Sequence, residues 1–205
     1  MLTDRQLEII EASMGIIAEL GIQGLTIKNI SRKILISEPA IYRHFNSKIE
    51  ILVAILDYYK SLAQNIHGKI LYSEANAIDQ IKLMFKAQLD IFVKKPILLS
   101  VIFAEEIFQN EKVLADRVYS VMKINEEILS ALLLKGQAKG NIRKDMSDKS
   151  MTFIFMGAIR LIVTQWRLSG FSFDLIKEGE VLLNDIEKLL TNQAQTILKN
   201  SNNTK

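Results

Sequence analysis

Between Gly24 and Lys48 the chain carries five cations, Lys28, Arg32, Lys33, Arg43 and Lys48, against the single acid Glu38. This local excess is larger than the formal +3 of all 205 residues, so the positive charge is concentrated in one stretch. Hydroxyls at Thr26, Ser37 and Ser47 are interleaved with it, followed by the string Ile41-Tyr42-Arg43-His44-Phe45. Cations, hydroxyls and the N–H groups of helix starts are the groups that hold phosphates, and arginines are among the groups that read base edges. Charge by itself equally describes a solvated face, so the elements that carry these residues have to decide. Other chemistries find no footing: there is no cysteine, no nucleophile elbow, no glycine-rich phosphate loop and no metal-ligand spacing. His44 and His67, the two histidines, fall on different helices, and a metal pair is not expected. The sequence therefore predicts no enzyme, no cofactor and no metal site.

With 49% apolar residues, two prolines, nine glycines and apolar positions recurring at three- and four-residue steps, the chain reads as all-α, with no convincing strand. Thr3-Asp4-Arg5-Gln6 fits a capping box, and Leu7, Ile10, Met14 and Ile17 follow at helical spacing until Gly21. Thr26 caps a short second helix with an Ile27, Ile30, Ile34 stripe. Ser37 caps a third that has Pro39 in its first turn and carries Ala40 to Phe45. Ser47-Lys48-Ile49-Glu50 is a second capping box opening a long linking helix over 47–67. Further helices are expected near 77–94, 96–108, 111–138, 148–168 and 174–198, broken by Pro96, Asn110, Gly140 and Gly170, with a frayed tail from Ser201. Two short neighbouring helices after a first one make a helix-turn-helix candidate, with the third helix as the reading element. On that helix Ile41 and Phe45 would be buried, leaving Glu38, Pro39, Ala40 and Arg43 outward.

Gly21, Thr26, Ile30-Ser31, Ile36-Ser37, Ile41 to Phe45, Lys48 and Leu52, taken in one register, resemble the DNA-binding signature of the TetR/AcrR family of transcriptional regulators. The resemblance covers the first fifty residues; beyond them it is architectural. It implies an N-terminal three-helix helix-turn-helix DNA-binding domain over residues 1–46 and a C-terminal helical effector-binding and dimerisation domain over 47–200. It also implies phosphate contacts at Thr26, Ser37, Tyr42, His44 and Lys48, with Lys28, Glu38, Pro39, Ala40 and Arg43 at or near base edges. Tyr42 is otherwise a core aromatic, His44 a satisfied imidazole, and Glu38 either an acceptor for a cytosine amino group or a complement to the helix dipole. The chain departs from the family pattern at Leu35, which stands where a turn glycine is usual, and a bulky residue resists positive φ.

The later helices are rich in aromatic and sulfur side chains, which build cores and also line apolar pockets adaptably. Leu62, Ile66, Phe85, Leu89, Phe103, Met122, Met156 and Trp166 are the candidate effector-pocket residues. The stretch Phe153 to Val163 is apolar on nearly all sides except for Arg160. It demands a second covering surface, as a twofold dimer supplies. Phe155, Ile159, Ile162, Leu182, Ile186 and Leu189 are the candidate interface residues. Arg160 either pairs with an acid across that interface or binds an effector carboxylate, and Glu105 and Glu106 pose the same choice.

The expectation is thus a homodimeric repressor on palindromic double-stranded operator DNA, released by a small apolar or amphipathic effector. A DNA-bound factor controlled by a protein partner, and a dimeric helical lipid-binding module, are the alternatives. The N-terminus lacks the order of a secretory signal and no apolar run reaches the length of a membrane span, so a cytoplasmic protein with no membrane partner is expected.

Overall fold

Thr3 opens the first helix as its spacing with Gln6 predicts: the Thr3 hydroxyl accepts from the Gln6 N–H, and the Gln6 side chain accepts from the Thr3 N–H at 3.0 Å. The computed structural model describes residues 2–103 and 111–191. In them the chain forms α1 (Asp4–Leu20), a 3-10 turn (Ile22–Gly24), α2 (Ile27–Ile34), α3 (Glu38–Tyr42) and α4 (Lys48–Leu71). There follow α5 (Ala77–Lys94), α6 (Ile97–Ile102), α7 (Lys112–Ala138), α8 (Asp148–Leu168) and α9 (Leu175–Thr191), with no strand among the described residues. The helices predicted at 77–94, 111–138 and 148–168 agree to within a residue. The linking helix runs past the expected residue 67 to Leu71, because the Gln80 side chain donates to the Ile70 and Leu71 carbonyls and ends it there. In the segment expected to be helical over 96–108, α6 closes at the C-cap Phe103. Glu105, Glu106, Phe108 and Asn110, the end of the expected last helix beyond 191 and the tail lie outside the described residues.

The chain packs as two units, Met1–Gln64 with Lys94–Met122 and Asn65–Val93 with Lys123–Lys205. In the first, α1 lies on α2 and α6 and buries Ile9, Ile10, Ile16 and Ile17 against a core that includes Leu25, Ile30, Ile41 and Leu52. Each such side chain contributes roughly 1.5–3 kcal/mol on burial. Within this unit the part of α4 up to Gln64 is held by polar ties to α7 and to the start of α6. Asp57 pairs with Arg117 at 3.3 Å, and Lys60 donates to the Ser120 hydroxyl at 3.4 Å. Lys95 donates to the Tyr58 hydroxyl at 2.9 Å while lying 4.9 Å from that ring's centroid.

In the second unit α5 is the common wall. Phe85 meets Phe155 of α8 edge to face at 5.4 Å, and Gly179 lets α9 approach, since a Cβ there would sit 2.2 Å from a Leu89 methyl. Gln80, fully buried, donates to Ile70 and accepts from Lys135 at 2.8 Å. The Arg143 N–H donates to the Leu190 carbonyl at 2.8 Å, and its guanidinium, paired with Asp145, reaches the Leu189 carbonyl, which closes the last described turn of α9. The turn from α8 to α9 uses positive φ at Gly170 and also at Phe171. Phe171 holds that costly conformation because its ring packs 4.7 Å from Trp166, whose indole N–H donates to the Phe173 carbonyl.

α8 buries Met151, Thr152, Phe155, Val163 and Trp166 and exposes Phe153, Ile154, Leu161 and Leu168; α9 buries Leu175, Leu183, Ile186 and Leu190 and exposes Val181 and Leu189. The expected interface residues divide by their burial in the single chain. Phe155 and Ile186 fill the interior of their own unit, and Ile159, Ile162 and Leu182 are half-buried. Only Leu189 of the six is well exposed, at 58%. The most exposed apolar side chains of α8 outside its last turn are Phe153 (62%) and Leu161 (60%), two turns apart.

Candidate nucleic-acid interface and effector unit

The reading head is built by α2, the turn after it, and α3. Thr26 caps α2: its hydroxyl accepts from the Asn29 N–H at 3.1 Å, and the Asn29 amide donates to the Gly24 carbonyl at 2.8 Å, fixing the angle at which the chain enters. Leu35 ends α2 in the left-handed conformation, φ 55° and ψ 41°, with its N–H and that of Ile36 both directed to the Ser31 carbonyl. The turn thus keeps the geometry that glycine favours, at a cost of about 1 kcal/mol for an L residue. The Leu35 side chain is 90% exposed.

Ser37 then begins α3, but its hydroxyl makes no capping bond, unlike those of Thr3, Thr26 and Ser147; only its carbonyl accepts, from Ala40 and Ile41. The hydroxyl is exposed and unspent. α3 is shorter than the sequence suggests. It ends at Tyr42 with Arg43 as C-cap, and the Ile41 carbonyl accepts from both His44 and Phe45 N–H groups in a turn. Ile41 and Phe45 are buried, as their spacing predicts, while Glu38, Pro39, Tyr42 and Arg43 are exposed and Ala40 and His44 half-buried. Tyr42, at 49% exposure, is not a core aromatic.

The second capping box is modified. Ser47 accepts from the Glu50 N–H at 3.2 Å, but the Glu50 carboxylate turns to the N–H and amide of Asn46 instead of the Ser47 N–H. These bonds hold the Glu50 carboxyl below its ordinary range. Asn46, just before the Ser47 cap, and Asn29, three residues after the Thr26 cap, are positioning residues that the sequence did not single out, since a helix-start pattern does not say which amide turns back onto the chain. Of the five cations, Lys33 is paired with Glu19 of α1 at 2.6 Å. Lys28, Arg32, Arg43 and Lys48 make no ion pair among the described residues, so four unpaired cations share this stretch with the exposed residues Thr26 and Ser37.

In the second unit, an apolar cleft of about 140 Å³ lies between α5 and α9, lined by Leu83, Phe85, Leu89, Ile176 and Leu183. Lys86–Glu180 at 3.6 Å and Lys82–Glu187 cross it as ion pairs. Of the eight expected effector residues, Phe85 and Leu89 line this cleft. Ile66 and Met156 are half-buried in the same unit, and Trp166 is engaged by the α8–α9 turn. Leu62, Phe103 and Met122 belong to the first unit, where Met122 is exposed. No described helix is long and apolar enough to cross a membrane.

Residues 9–55 match the model of bacterial regulatory proteins of the tetR family, and residues 48–192 match that of the YsiA-like protein C-terminal region. The chain is 22% identical to the fatty acid metabolism regulator protein of Bacillus subtilis over 91% of its own length and 93% of the relative's. It is also 22% identical to a probable acrEF/envCD operon repressor of Escherichia coli, with 89% and 84% covered. Among solved structures, the regulator FadR from Bacillus subtilis in complex with stearoyl-CoA superposes with a TM-score of 0.75 at 22% identity, over 90% of this chain and 97% of that one. The helix-turn-helix reading head, the all-α fold and these matches together make the chain a member of the TetR family, a DNA-binding transcriptional regulator.

Proposed function

We propose that this regulator is a homodimeric repressor in which residues 1–46 grip one half of a palindromic operator and the remainder binds an amphipathic effector, a long-chain acyl thioester, that releases the DNA. The observation that carries the reading is the unspent Ser37 hydroxyl, in a helix-turn-helix stretch whose Lys28, Arg32, Arg43 and Lys48 are unpaired. Thr26, Ser37, Tyr42, His44 and Lys48 hold phosphates, while Lys28, Glu38, Pro39, Ala40 and Arg43 lie at base edges. The repressor sense and the acyl thioester follow the relatives named an operon repressor and a regulator in complex with stearoyl-CoA. Phe153, Ile154, Leu161, Val181 and Leu189 supply the apolar surface that a second copy covers. Because α4 runs without a break from the reading-head unit into the effector unit, its movement carries the signal, and effector and DNA oppose each other reciprocally. Such a protein works in the cytoplasm.

Stearoyl-CoA added to the protein bound to its operator, followed by fluorescence anisotropy of the labelled DNA, tests this. Release in the low micromolar range supports the effector class. DNA that stays bound at saturating thioester but leaves with a protein extract moves the account to a protein-controlled factor.

A further inference from the structure

Three buried polar atoms in the second unit have no hydrogen-bond partner: His67 Nδ1 on α4, Thr152 Oγ1 on α8 and Arg167 Nε in the last turn of α8, of which the first two belong to residues only 3% and 2% exposed. Buried polar groups are nearly always paired. Gln80, equally buried, is bonded on both its nitrogen and its oxygen. Thr152 also had a local way out. Ser13, Ser61 and Thr191 each turn their hydroxyl back to the carbonyl four residues earlier, at 2.7–2.9 Å, and Thr152 does not. Its hydroxyl is therefore held for something other than its own helix.

His67 and Thr152 lie on helices that both pack against α5. His67 is one turn before Ile70, whose carbonyl accepts from Gln80 of α5. Thr152 is one turn before Phe155, whose ring meets Phe85 of α5, five residues beyond Gln80. The neighbouring stretches of α5 and α8 are apolar there: Met84, Phe85, Met151 and Phe155 are all buried. Burial pushes the His67 pKa down, so its imidazole is neutral near pH 7 and offers one donor and one acceptor. A neutral imidazole and a hydroxyl among aromatic and sulfur side chains match a neutral oxygen. A carboxylate there would require a buried countercharge that neither group supplies.

We propose that His67 and Thr152 form the polar recognition point of the effector site and donate hydrogen bonds to the carbonyl oxygen of an acyl thioester whose chain lies among the apolar residues. This rests on the effector reading above, and it adds which atoms of this chain read the ligand's head. Binding to the full-length protein is followed through Trp166, the only tryptophan in the chain, or by calorimetry. Two probes are compared: stearoyl-CoA and S-octadecyl-CoA, the thioether in which a methylene replaces the carbonyl. Wild type is expected to prefer the thioester by about tenfold, the effect of one to two neutral hydrogen bonds. Thr152→Val and His67→Leu should each erase most of that preference without weakening the thioether, and Thr152→Ser should retain it. Since both apolar replacements remove an unpaired buried group, they should melt no lower than wild type. Equal affinity of wild type for the two probes, with operator release by both, overturns the recognition point and leaves the effector class standing. If neither probe binds, the effector class and the recognition point fall together.

Discussion

Replacing Ser37 by alanine separates two roles that a helix-start hydroxyl usually combines. Where a serine or threonine caps, as Thr26 does through the Asn29 N–H, alanine costs about 1 kcal/mol of stability. At roughly 2–4 °C per kcal/mol for a chain of this size, Thr26→Ala should lower the melting temperature by about 2–4 °C. The Ser37 hydroxyl makes no such bond, so Ser37→Ala should stay within about 0.5 kcal/mol of wild type, a shift of about 2 °C at most. Its effect should fall on DNA. A hydroxyl donating to a charged phosphate is worth about 1.5 kcal/mol, and a dimer makes two such contacts per operator. The loss is then about 3 kcal/mol, or on the order of a hundredfold in affinity. Calorimetric melts paired with anisotropy titrations on one operator give both numbers. A melting-temperature drop matching that of Thr26→Ala, or an unchanged operator affinity, would refute the assignment of Ser37 to the DNA.

Lys48→Ala should weaken binding to all DNA sequences alike and flatten the log K against log salt slope by about one unit per lost contact, whereas Arg43→Ala should cost about 1–3 kcal/mol at particular operator positions only, as competition with substituted operators will show. The lowered His67 pKa makes the unfolded chain the better proton acceptor, so the contribution of His67 is complete above the ordinary histidine value near 6.5 and is lost as pH falls through the depressed folded value. Urea titrations between pH 7.5 and 5 should therefore show a shallower pH slope for His67→Leu than for wild type, the difference reaching at most one proton; parallel curves would contradict the burial argument. Leu161→Glu places a charge on the exposed apolar face of α8 without disturbing the unit's own interior, and should give a folded monomer by sedimentation with lost operator affinity. A dimer that survives it would locate the interface elsewhere.

What the sequence carried best was local: the caps at Thr3 and Thr26 and the buried pair Ile41 and Phe45 follow from spacings of three and four that any helix obeys. Its failures were of phase and of partner choice. α8 carries Phe153-Ile154-Phe155-Met156, apolar at four consecutive positions, so periodicity cannot say which faces inward, and Phe155 rather than Phe153 meets Phe85. The Leu35 turn was legible as an anomaly but not in its outcome, because a left-handed leucine competes against the bonds that Ser31 accepts, and those bonds win. Asn46 and Asn29 act through tertiary or turn geometry that no residue pattern encodes. The orphaned atoms of His67 and Thr152 depend on the register of three helices, so the residues could be read from the chain but their isolation could not.

The central claim is that two copies of this chain read one palindromic operator through α3. Sequencing of genomic fragments retained by the purified protein, followed by footprinting of the enriched sites, tests it most directly. The account predicts a few strongly enriched sites, each an inverted repeat whose half-sites are centred about one helical turn, roughly 34–36 Å, or a multiple of it apart, with protection weakened at specific bases by Arg43→Ala. Retention spread evenly over the genome, or enriched sites without twofold symmetry, would contradict it.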